Sequence, residues 1–258
     1  MAALASRLGL AGVWLRYPWW PLTGPVQAGA DSAGLLAWLA DSTPVSAGLI
    51  VEADRADAGL LDRIGPALGT SHGRSARLAE ISVALSGPAA AVSRWEDSLH
   101  RHPGLHVSRL ARSASAPGPG PATVFVPCSA ARDLAADIPA AAAAAAGGPV
   151  LAEVTVSVGR TMAEAQARAD ADDLFAVAGH PARQGLFGTL QDCQAAAARL
   201  AHAGATELVC YLPLADDLPD VLAQLRSIAI GARVLRPGEP PSAAPPPPAG
   251  WGGRRVTA

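Results

Sequence analysis

The sequence contains no lysine and no asparagine: all 20 basic residues among its 258 are arginine. Without lysine, neither a Schiff-base mechanism nor a lysine-containing phosphate-binding loop can operate. Without asparagine, a cysteine–histidine–asparagine catalytic set is excluded as well. Several common enzyme classes are therefore ruled out before any motif is considered.

Cysteine is also scarce, and its placement is uninformative. Cys128, Cys193 and Cys210 are odd in number, widely separated, and show none of the spacings that hold zinc or an iron–sulfur cluster. We expect free thiols in a reducing compartment. The opening residues MAALASRLGLAGVW lack the apolar centre and cleavage site of a signal peptide, and no segment has the ~20 apolar residues of a membrane span. These absences predict a cytoplasmic protein.

Neither sign of charge is in large excess. The formal net charge is −2 and the isoelectric point is near 6.3, which argues against a broad basic surface for nucleic acid or an anionic membrane. Half of the residues are hydrophobic, enough for a sizeable core. We therefore expect small neutral ligands or protein partners, and a small-molecule substrate rather than nucleic acid or a membrane.

Apolar runs alternate with helical periodicities through most of the chain, which is the pattern of repeated strand–helix units and a mainly parallel sheet. Seven strands are predicted, at 12–16, 45–52, 78–85, 105–110, 123–127, 150–158 and 207–212. Because a complete (β/α)₈ barrel has eight, we predict an α/β fold of a reduced or irregular TIM type. An open doubly wound sheet is the alternative that the same alternation permits.

Helices are predicted between these strands. Thr189 and Asp192 form a helix-start signal, which we interpret as a cap without chemistry, and Gly204 ends the amphipathic helix that follows. Further helices are predicted at 34–40, 58–68, 88–100, 129–146 and from Asp217 onward. Proline and glycine between 113 and 122 predict a loop. One domain over 1–235 should precede a disordered, proline-rich tail over 236–258.

Three stretches resemble the luciferase-like monooxygenases. The first is ALASRLGLAGVWLRY, similar to the family's opening helix and first strand, and the second is VTVSVGRTMAEAQARADAD, similar to an inner strand and its helix. The third is GLFGTLQDCQAAAARLAHAGATELVCYLP followed by DLPDVLAQLRSIA, where the family has a glycine–threonine helix start, a final strand and a closing helix. The last two stretches cover about a third of the chain.

The resemblance implies a TIM barrel, FMN or a deazaflavin as cofactor, oxidation or reduction of a small organic substrate, and a dimer, either homomeric or with a longer family member. The chain also departs from the family. An acidic residue and a histidine often follow the first strand there, whereas Arg16, Tyr17, Pro18, Trp19 and Trp20 stand here. Members also tend to be longer, so we expect part of the barrel's middle to be missing.

In a TIM barrel the ligand lies at the carboxyl ends of the strands, which nominates residues without any motif. After the first strand, Arg16, Tyr17, Trp19 and Trp20 combine aromatic faces for a flat ring with an arginine for a phosphate or carboxylate. Trp19 and Trp20 alternatively cap the barrel or form a subunit contact. Further candidates at strand ends are Glu52, Asp54, Ser86, Gly87, Cys128, Ser129 and Asp216.

Two of these strand ends have specific alternatives. Ser86 and Gly87, before Pro88, could bind a phosphate through backbone N–H groups, or form a plain strand-to-helix turn. Cys128 is either a low-pKa thiol at a helix start or an inert small residue. His100, His102 and His106 are close in sequence, but Pro103 and Gly104 interrupt them, so we predict no metal site.

Two functions compete at this level. One is a working flavin- or deazaflavin-dependent oxidoreductase. The other is a catalytically degenerate family member that binds or supports a longer relative. Flavin chemistry does not always need a protein acid or base, because the cofactor carries the redox step. The missing acid–histidine pair therefore does not decide between them.

Overall fold

The computed structural model describes residues 12–17, 46–56, 80–101, 106–113, 123–128, 133–211 and 218–234. Eight strands lie in these ranges: β1 Gly12–Tyr17, β2 Ser46–Glu52, β3 Glu80–Ser86, β4 His106–Ser113, β5 Thr123–Val126, β6 Val150–Val158, β7 Leu186–Gly188 and β8 Glu207–Tyr211. Seven match predicted strands to within three residues at either end. The eighth, β7, has only 3 residues, too few for a pattern of alternation to reveal it.

All eight strands are parallel. Their order follows the chain from β1 to β7, while β8 pairs with β6. A doubly wound sheet needs a point at which the strand order reverses. The sequential path has none, so the doubly wound alternative is wrong.

The sheet is strongly curled. Four strands separate β1 from β6, which in a flat sheet would place them roughly 24 Å apart at a spacing of about 4.8 Å. Yet Arg16 Nη1 on β1 lies 2.5 Å from Glu153 Oε1 on β6. Within the described ranges no backbone pairing joins β1 to β8, so the sheet is a half-barrel in which side chains connect β1 to β6 across the interior.

Seven helices accompany the sheet in the described part of the chain: α1 Ala89–His100, α2 Leu134–Ala144, α3 Met162–Asp170, α4 Asp173–Ala178, α5 Pro181–Gln184, α6 Leu190–Ala203 and α7 Leu218–Val234. Helices α2, α6 and α7 pack on the outer face of β5 and β6 in one apolar cluster. Among the described residues, no helix has the length and apolarity needed to cross a membrane.

The predicted start and end of α6 are confirmed. Thr189 and Asp192 form a reciprocal capping box, and Gly204 ends the helix at φ 122°, a conformation that glycine adopts without strain. Helix α2 starts later than predicted, at Leu134, because Asp133 is its N-cap and accepts from the N–H of Ala135. Strand β4 runs through Ser113, which the sequence had assigned to a loop.

Several predictions lie outside the described residues. They are the helices at 34–40 and 58–68, the start of the helix predicted at 129–146, most of the loop between 113 and 122, and the tail at 236–258 with its boundary at 235.

The inner face of the sheet has its own core. A cluster joins side chains from six strands, with Trp14 of β1 packed against it; its members are Ile50, Ala84, Ala111, Phe125, Leu151 and Val209. The Trp14 ring lies directly over Gly48, where an added Cβ would be 2.3 Å from Trp14 Cδ2. The sheet thus curls around an apolar layer.

Candidate functional site

Above this apolar layer, the inner face becomes polar toward the carboxyl ends of the strands. Because side chains alternate between faces, residues two positions beyond the apolar layer point to the same interior. The buried polar residues found there are Arg16, Glu52, Ser86, Ser113, Glu153, Thr155 and Ser157. We call this end of the half-barrel, where TIM-type enzymes carry their active sites, the mouth.

The centre of the mouth is an ion cluster of Arg16, Glu52 and Glu153. Arg16 Nη1 donates to Oε1 and Oε2 of Glu153 at 2.5 and 2.6 Å, and Arg16 Nη2 donates to Glu52 Oε1. All three residues are more than nine-tenths buried. Carboxylates from two strands that are distant in sequence, β2 and β6, thus bind the same guanidinium.

Two further groups complete the cluster. The exposed Arg55 donates from Nη1 to Glu52 Oε2 at 3.2 Å, and the backbone N–H of Cys128 donates to Glu153 Oε2 at 3.0 Å. Burial alone would lower the pKa of Arg16, but the negative charges of Glu153 and Glu52 outweigh it, so the pKa is raised. Arg16 is therefore a permanent cation.

Arg16 was predicted to pair with a phosphate or a carboxylate. Its guanidinium is buried and bonded to two carboxylates of the chain itself, and its role in binding a cofactor stays a prediction. Glu52 lies at the mouth as predicted. Glu153 was not predicted, although the single acid in the apolar strand VLAEVTVSV was a signal that could have identified it.

Cys128 is buried, and its thiol stays protonated near neutral pH. Burial, and then the negative charge of Glu153, raise the pKa of its thiol to about 12. The Sγ atom lies 2.7 Å from the carbonyl oxygen of Ala178, to which the thiol donates. The low-pKa alternative for Cys128 is therefore wrong, and the inert alternative agrees with the geometry.

A segment from Asp172 to Gly185, containing α4 and α5, crosses the inner face at the mouth. Phe175 is fully buried and meets the ring of Tyr211 edge-on, with centroids 5.9 Å apart. Thr155 Oγ1 donates to the carbonyl oxygen of Gly179 at 3.0 Å. Burial, and then the charge of Asp172, raise the pKa of Tyr211, so its hydroxyl stays protonated.

The aromatic residues proposed for ring stacking are only partly described. Tyr17 is the last residue of β1, which places its backbone at the mouth. Trp19 and Trp20 lie outside the described residues, as do Ser129 and Asp216. Their role as ligand contacts stays a prediction.

Ser86 and Gly87 form the turn between β3 and α1. Ser86 Oγ lies 3.4 Å from the carbonyl oxygen of Val51, to which it donates, and Gly87 has φ +127°. Helix α1 has no side-chain cap at Pro88. However, a Cβ on Gly87 would lie 3.1 Å from Asp54 Oδ1, so a carboxylate already stands beside this turn.

Among the described residues, carboxylates outnumber guanidiniums at the mouth. The carboxylates of Glu52, Asp54 and Glu153 face the guanidiniums of Arg16 and Arg55. The N-termini of α3 and α6 are also occupied, by the carboxylates of Glu164 and Asp192. In the described ranges, the groups at the mouth suit a neutral or cationic ligand better than an anion.

Of the three neighbouring histidines, only His100 has a described side chain. His100 is exposed, and its Nδ1 lies 2.8 Å from the carbonyl oxygen of Glu96. His102 lies outside the described residues, and only the backbone of His106 is described. Among the described residues, no group of three or more histidine, cysteine or acidic side chains could hold a metal ion.

No protein-family model and no curated protein matches the sequence, but the fold is shared with solved structures, among them two crystal structures. One is apo-MsnO8, at 17% identity and a TM-score of 0.60 over 90% of this chain and 90% of that chain. The other is the monooxygenase RslO1 from Streptomyces bottropensis, at 14% identity and a TM-score of 0.56 over 91% of this chain and 90% of that one. At such identities the likeness concerns the fold alone.

These two matches bear on the expected loss of the barrel's middle. Each covers about nine-tenths of both chains. Relative to these two structures the chain is therefore not shortened, which corrects that expectation.

Proposed function

We propose that this protein is an oxidoreductase of the monooxygenase type that acts on a small organic substrate at the mouth of a reduced TIM-type barrel. The observation that carries the proposal is the buried ion cluster formed by Arg16 and Glu52, at the carboxyl ends of β1 and β2, with Glu153 on the inner face of β6. The inner face below it is apolar. Charge is thus concentrated at the end of the barrel where TIM-type enzymes work.

Stability gives little reason for this cluster. Desolvating charged groups costs several kcal/mol per ion, so a buried ion pair is often no more stabilising than apolar residues of equal volume. A polar group that does not serve the core is a candidate for function. The fold shared with the monooxygenase RslO1 supports the same reaction class.

For the cofactor we propose the ring of a flavin or deazaflavin, on the strength of the sequence resemblance. When bound, that ring would supply the electron transfer, while the protein orients the substrate and excludes water. Tyr17, Trp19 and Trp20 follow β1 and are the residues proposed to contact the ring. Ser86 and Gly87 are proposed to line the edge of the ring. Arg16 is proposed to contribute its positive charge from the ion cluster beneath the ring.

Titration with flavins tests this proposal. Riboflavin, FMN and the deazaflavin coenzyme would each be added to the purified protein, with binding followed by the change in their fluorescence. Since carboxylates outnumber guanidiniums among the described groups at the mouth, we expect riboflavin, which lacks the phosphate, to bind at least as tightly as FMN. The absence of saturable binding by all three would reject the cofactor assignment.

Two variants locate the binding. Glu153→Gln should weaken riboflavin binding, because the amide cannot replace the carboxylate that holds both Arg16 and the N–H of Cys128. Glu207→Gln is the matched control, since Glu207 begins β8 at the opposite end of the sheet. Equal weakening in both variants would place the ligand somewhere other than the mouth.

A second candidate function is a non-catalytic subunit that supports a longer relative. One observation favours it: Arg16, Glu52, Glu153 and the thiol of Cys128 are bonded to other groups of the chain itself. No flavin binding, together with stable association with a longer relative, would establish this role.

A dimer remains part of the proposal and rests on the resemblance. Light scattering over micromolar concentrations, with recovery of partners from cells, measures it directly. A monomer throughout, with no recovered partner, would contradict it.

A further inference from the structure

We propose that Met162 is an oxidation-sensitive modification site: peroxides convert its thioether to the sulfoxide while the three cysteines stay reduced, and the sulfoxide loosens the start of α6. The change is reversible in principle, because methionine sulfoxide reductases restore the thioether. The inference concerns the sulfur chemistry of the chain and holds whether or not the protein binds a flavin.

Met162 lies at the rim of the mouth with about half of its surface exposed. It is the first residue of α3, which follows β6, and its relative exposure is 49%. Ala165 and Ala169, three and seven positions later on the same side of the helix, are buried. Met162 therefore extends the inward side of α3 beyond the end of the sheet, where its side chain meets solvent.

The capping of α3 holds Met162 in this position. Thr161 Oγ1 accepts from the N–H of Glu164 at 3.2 Å, and Glu164 Oε2 accepts from the N–H of Arg160 at 2.9 Å. Both hydrogen bonds span the backbone of Met162. The exposure of its side chain thus follows from where the helix starts.

The three thiols are much less accessible to an oxidant. Cys128 and Cys193 are buried and Cys210 is partly buried, and burial is the largest cause that raises each pKa to about 12. Because oxidants attack the thiolate, the reactive fraction of each at pH 7 is on the order of 10⁻⁵. A thioether has no proton to lose, so its reactivity depends on access alone.

The reaction needs only a peroxide as co-reactant. The sulfur of Met162 attacks one oxygen of hydrogen peroxide, and the O–O bond breaks. The departing hydroxide takes the proton of the transferred oxygen and leaves as water. Sulfur loses the two electrons that the peroxide gains, and an apolar thioether becomes a polar hydrogen-bond acceptor.

This new acceptor would lie beside the start of α6. A Cβ on Gly188 would be 2.9 Å from Met162 Cε and 2.8 Å from Asp192 Oδ2, so the methyl group and the carboxylate border the same small space. Asp192 Oδ2 accepts from the N–H and the hydroxyl of Thr189. The partial negative charge of a sulfoxide oxygen should repel this carboxylate and weaken the capping box.

Peptide mapping by mass spectrometry after treatment with hydrogen peroxide tests the site. Met162 should gain one oxygen before any cysteine is modified, at a rate within about 10-fold of that of free methionine. The rate should be equal at pH 6 and pH 8, whereas reaction through a thiolate would rise about 100-fold. Mapping also separates Met162 from Met1, the one other methionine. Earlier modification of a cysteine would overturn the proposal.

Hydrogen exchange tests the consequence for α6. After oxidation, amides in 186–193 should exchange about 3- to 10-fold faster, the effect of losing one hydrogen bond. Met162→Gln, which introduces a polar group of similar length, should have the same effect without peroxide. Helix α2, which starts at a separate cap, Asp133, is the internal control and should exchange at its original rate.

Met162→Leu is the matched control variant, because leucine is apolar, of similar size, and free of sulfur. Peroxide should leave its exchange unchanged. In the oxidised wild type, the two reductases that act on the two sulfoxide epimers should together restore the original exchange. Equal exchange in oxidised and untreated wild type would refute the effect on α6, as would a response of Met162→Leu to peroxide that matches the wild type.

Discussion

A guanidinium held between two buried carboxylates is costly for a folding chain, because three charged groups lose their hydration at once. Arg16, Glu52 and Glu153 satisfy one another through three short contacts, with help from Arg55 and from the N–H of Cys128. Removing one of these three residues leaves the charges of the other two buried without enough opposite charge nearby. Removing all three leaves an apolar interior.

The first prediction follows from that difference. Glu153→Gln should lower the free energy of unfolding by about 3 kcal/mol, as expected when one partner of a buried pair is lost. The triple variant Arg16→Met, Glu52→Leu, Glu153→Leu should be as stable as the wild type, or more so, and should not bind riboflavin. Urea denaturation measures both. A triple variant less stable than Glu153→Gln would show that the cluster exists for stability.

The second prediction concerns the three thiols. Burial is the largest cause that raises the pKa of Cys128, Cys193 and Cys210 from the ordinary value of 9.0 to about 12. At pH 8 none should react quickly with a disulfide reagent in the native protein, whereas all three should react in guanidinium chloride. Cys210, which is partly exposed, should be the first to react. A fast native reaction at Cys128 would contradict its burial.

The same shifts have a consequence for stability. A thiol with a raised pKa in the folded state stays neutral up to higher pH than in the unfolded chain. Stability should therefore be unaffected by these thiols below pH 9 and should fall as the pH rises from 9.0 toward about 12. Replacing all three with alanine should reduce that loss.

At the scale of elements, α6 illustrates a local signal that tertiary packing leaves intact. Asp192 Oδ2 accepts from the N–H and the hydroxyl of Thr189, at 2.9 and 2.6 Å, and the Asp192 N–H lies 3.4 Å from Thr189 Oγ1. Every partner lies within four residues. Such a cap is decided locally, so its start was predictable.

The third prediction tests this cap. Thr189→Ala should lower the free energy of unfolding by about 1 kcal/mol, the usual cost of losing an N-cap. Gln191→Ala, at an exposed position in the first turn, is the control and should change little. The Thr189 hydroxyl, and then its N–H, lower the pKa of Asp192, so the difference between wild type and Thr189→Ala should shrink as the pH falls through that lowered pKa. A difference independent of pH would argue against the reciprocal bond.

At the scale of the whole molecule, curling of the sheet brings distant strands together. Trp14 of β1 packs against a cluster that includes Leu151 of β6 and Val209 of β8. The large ring fits only because Gly48 on the neighbouring strand has no side chain. A small residue on β2 therefore permits the interior to close around a tryptophan.

The fourth prediction follows from this contact. Gly48→Ala places a methyl group 2.3 Å from Trp14 Cδ2, so overpacking should cost about 1–3 kcal/mol in the free energy of unfolding. Trp14→Leu in the same background restores room and should recover part of the loss. If the double variant is as unstable as the sum of the single changes, steric conflict with Trp14 is not the cause.

The order and type of the longer strands, and the bounds of α6, follow from the sequence alone, whereas β7, α4 and α5 were not predicted. Alternating apolar residues identify seven of the strands, and α6 carries its own start and stop signals in Thr189, Asp192 and Gly204. One rule was enough to nominate strand-end residues: the carboxyl ends of parallel strands lie at the same end of a barrel, where ligands bind. It nominated Arg16, Glu52, Ser86 and Cys128. Each of these inferences uses interactions or patterns spanning a few residues.

The tertiary structure alone decides which strand-end residues meet. Arg16 and Glu153 are 137 positions apart, and no local pattern links them. They are in contact because the sheet curls through several strands, each adding a small rotation. The same curl places the Arg16 side chain in the interior. The burial that it produces also raises the pKa of Cys128. Partners and burial are properties of the closed interior, so they are absent from any short stretch of sequence.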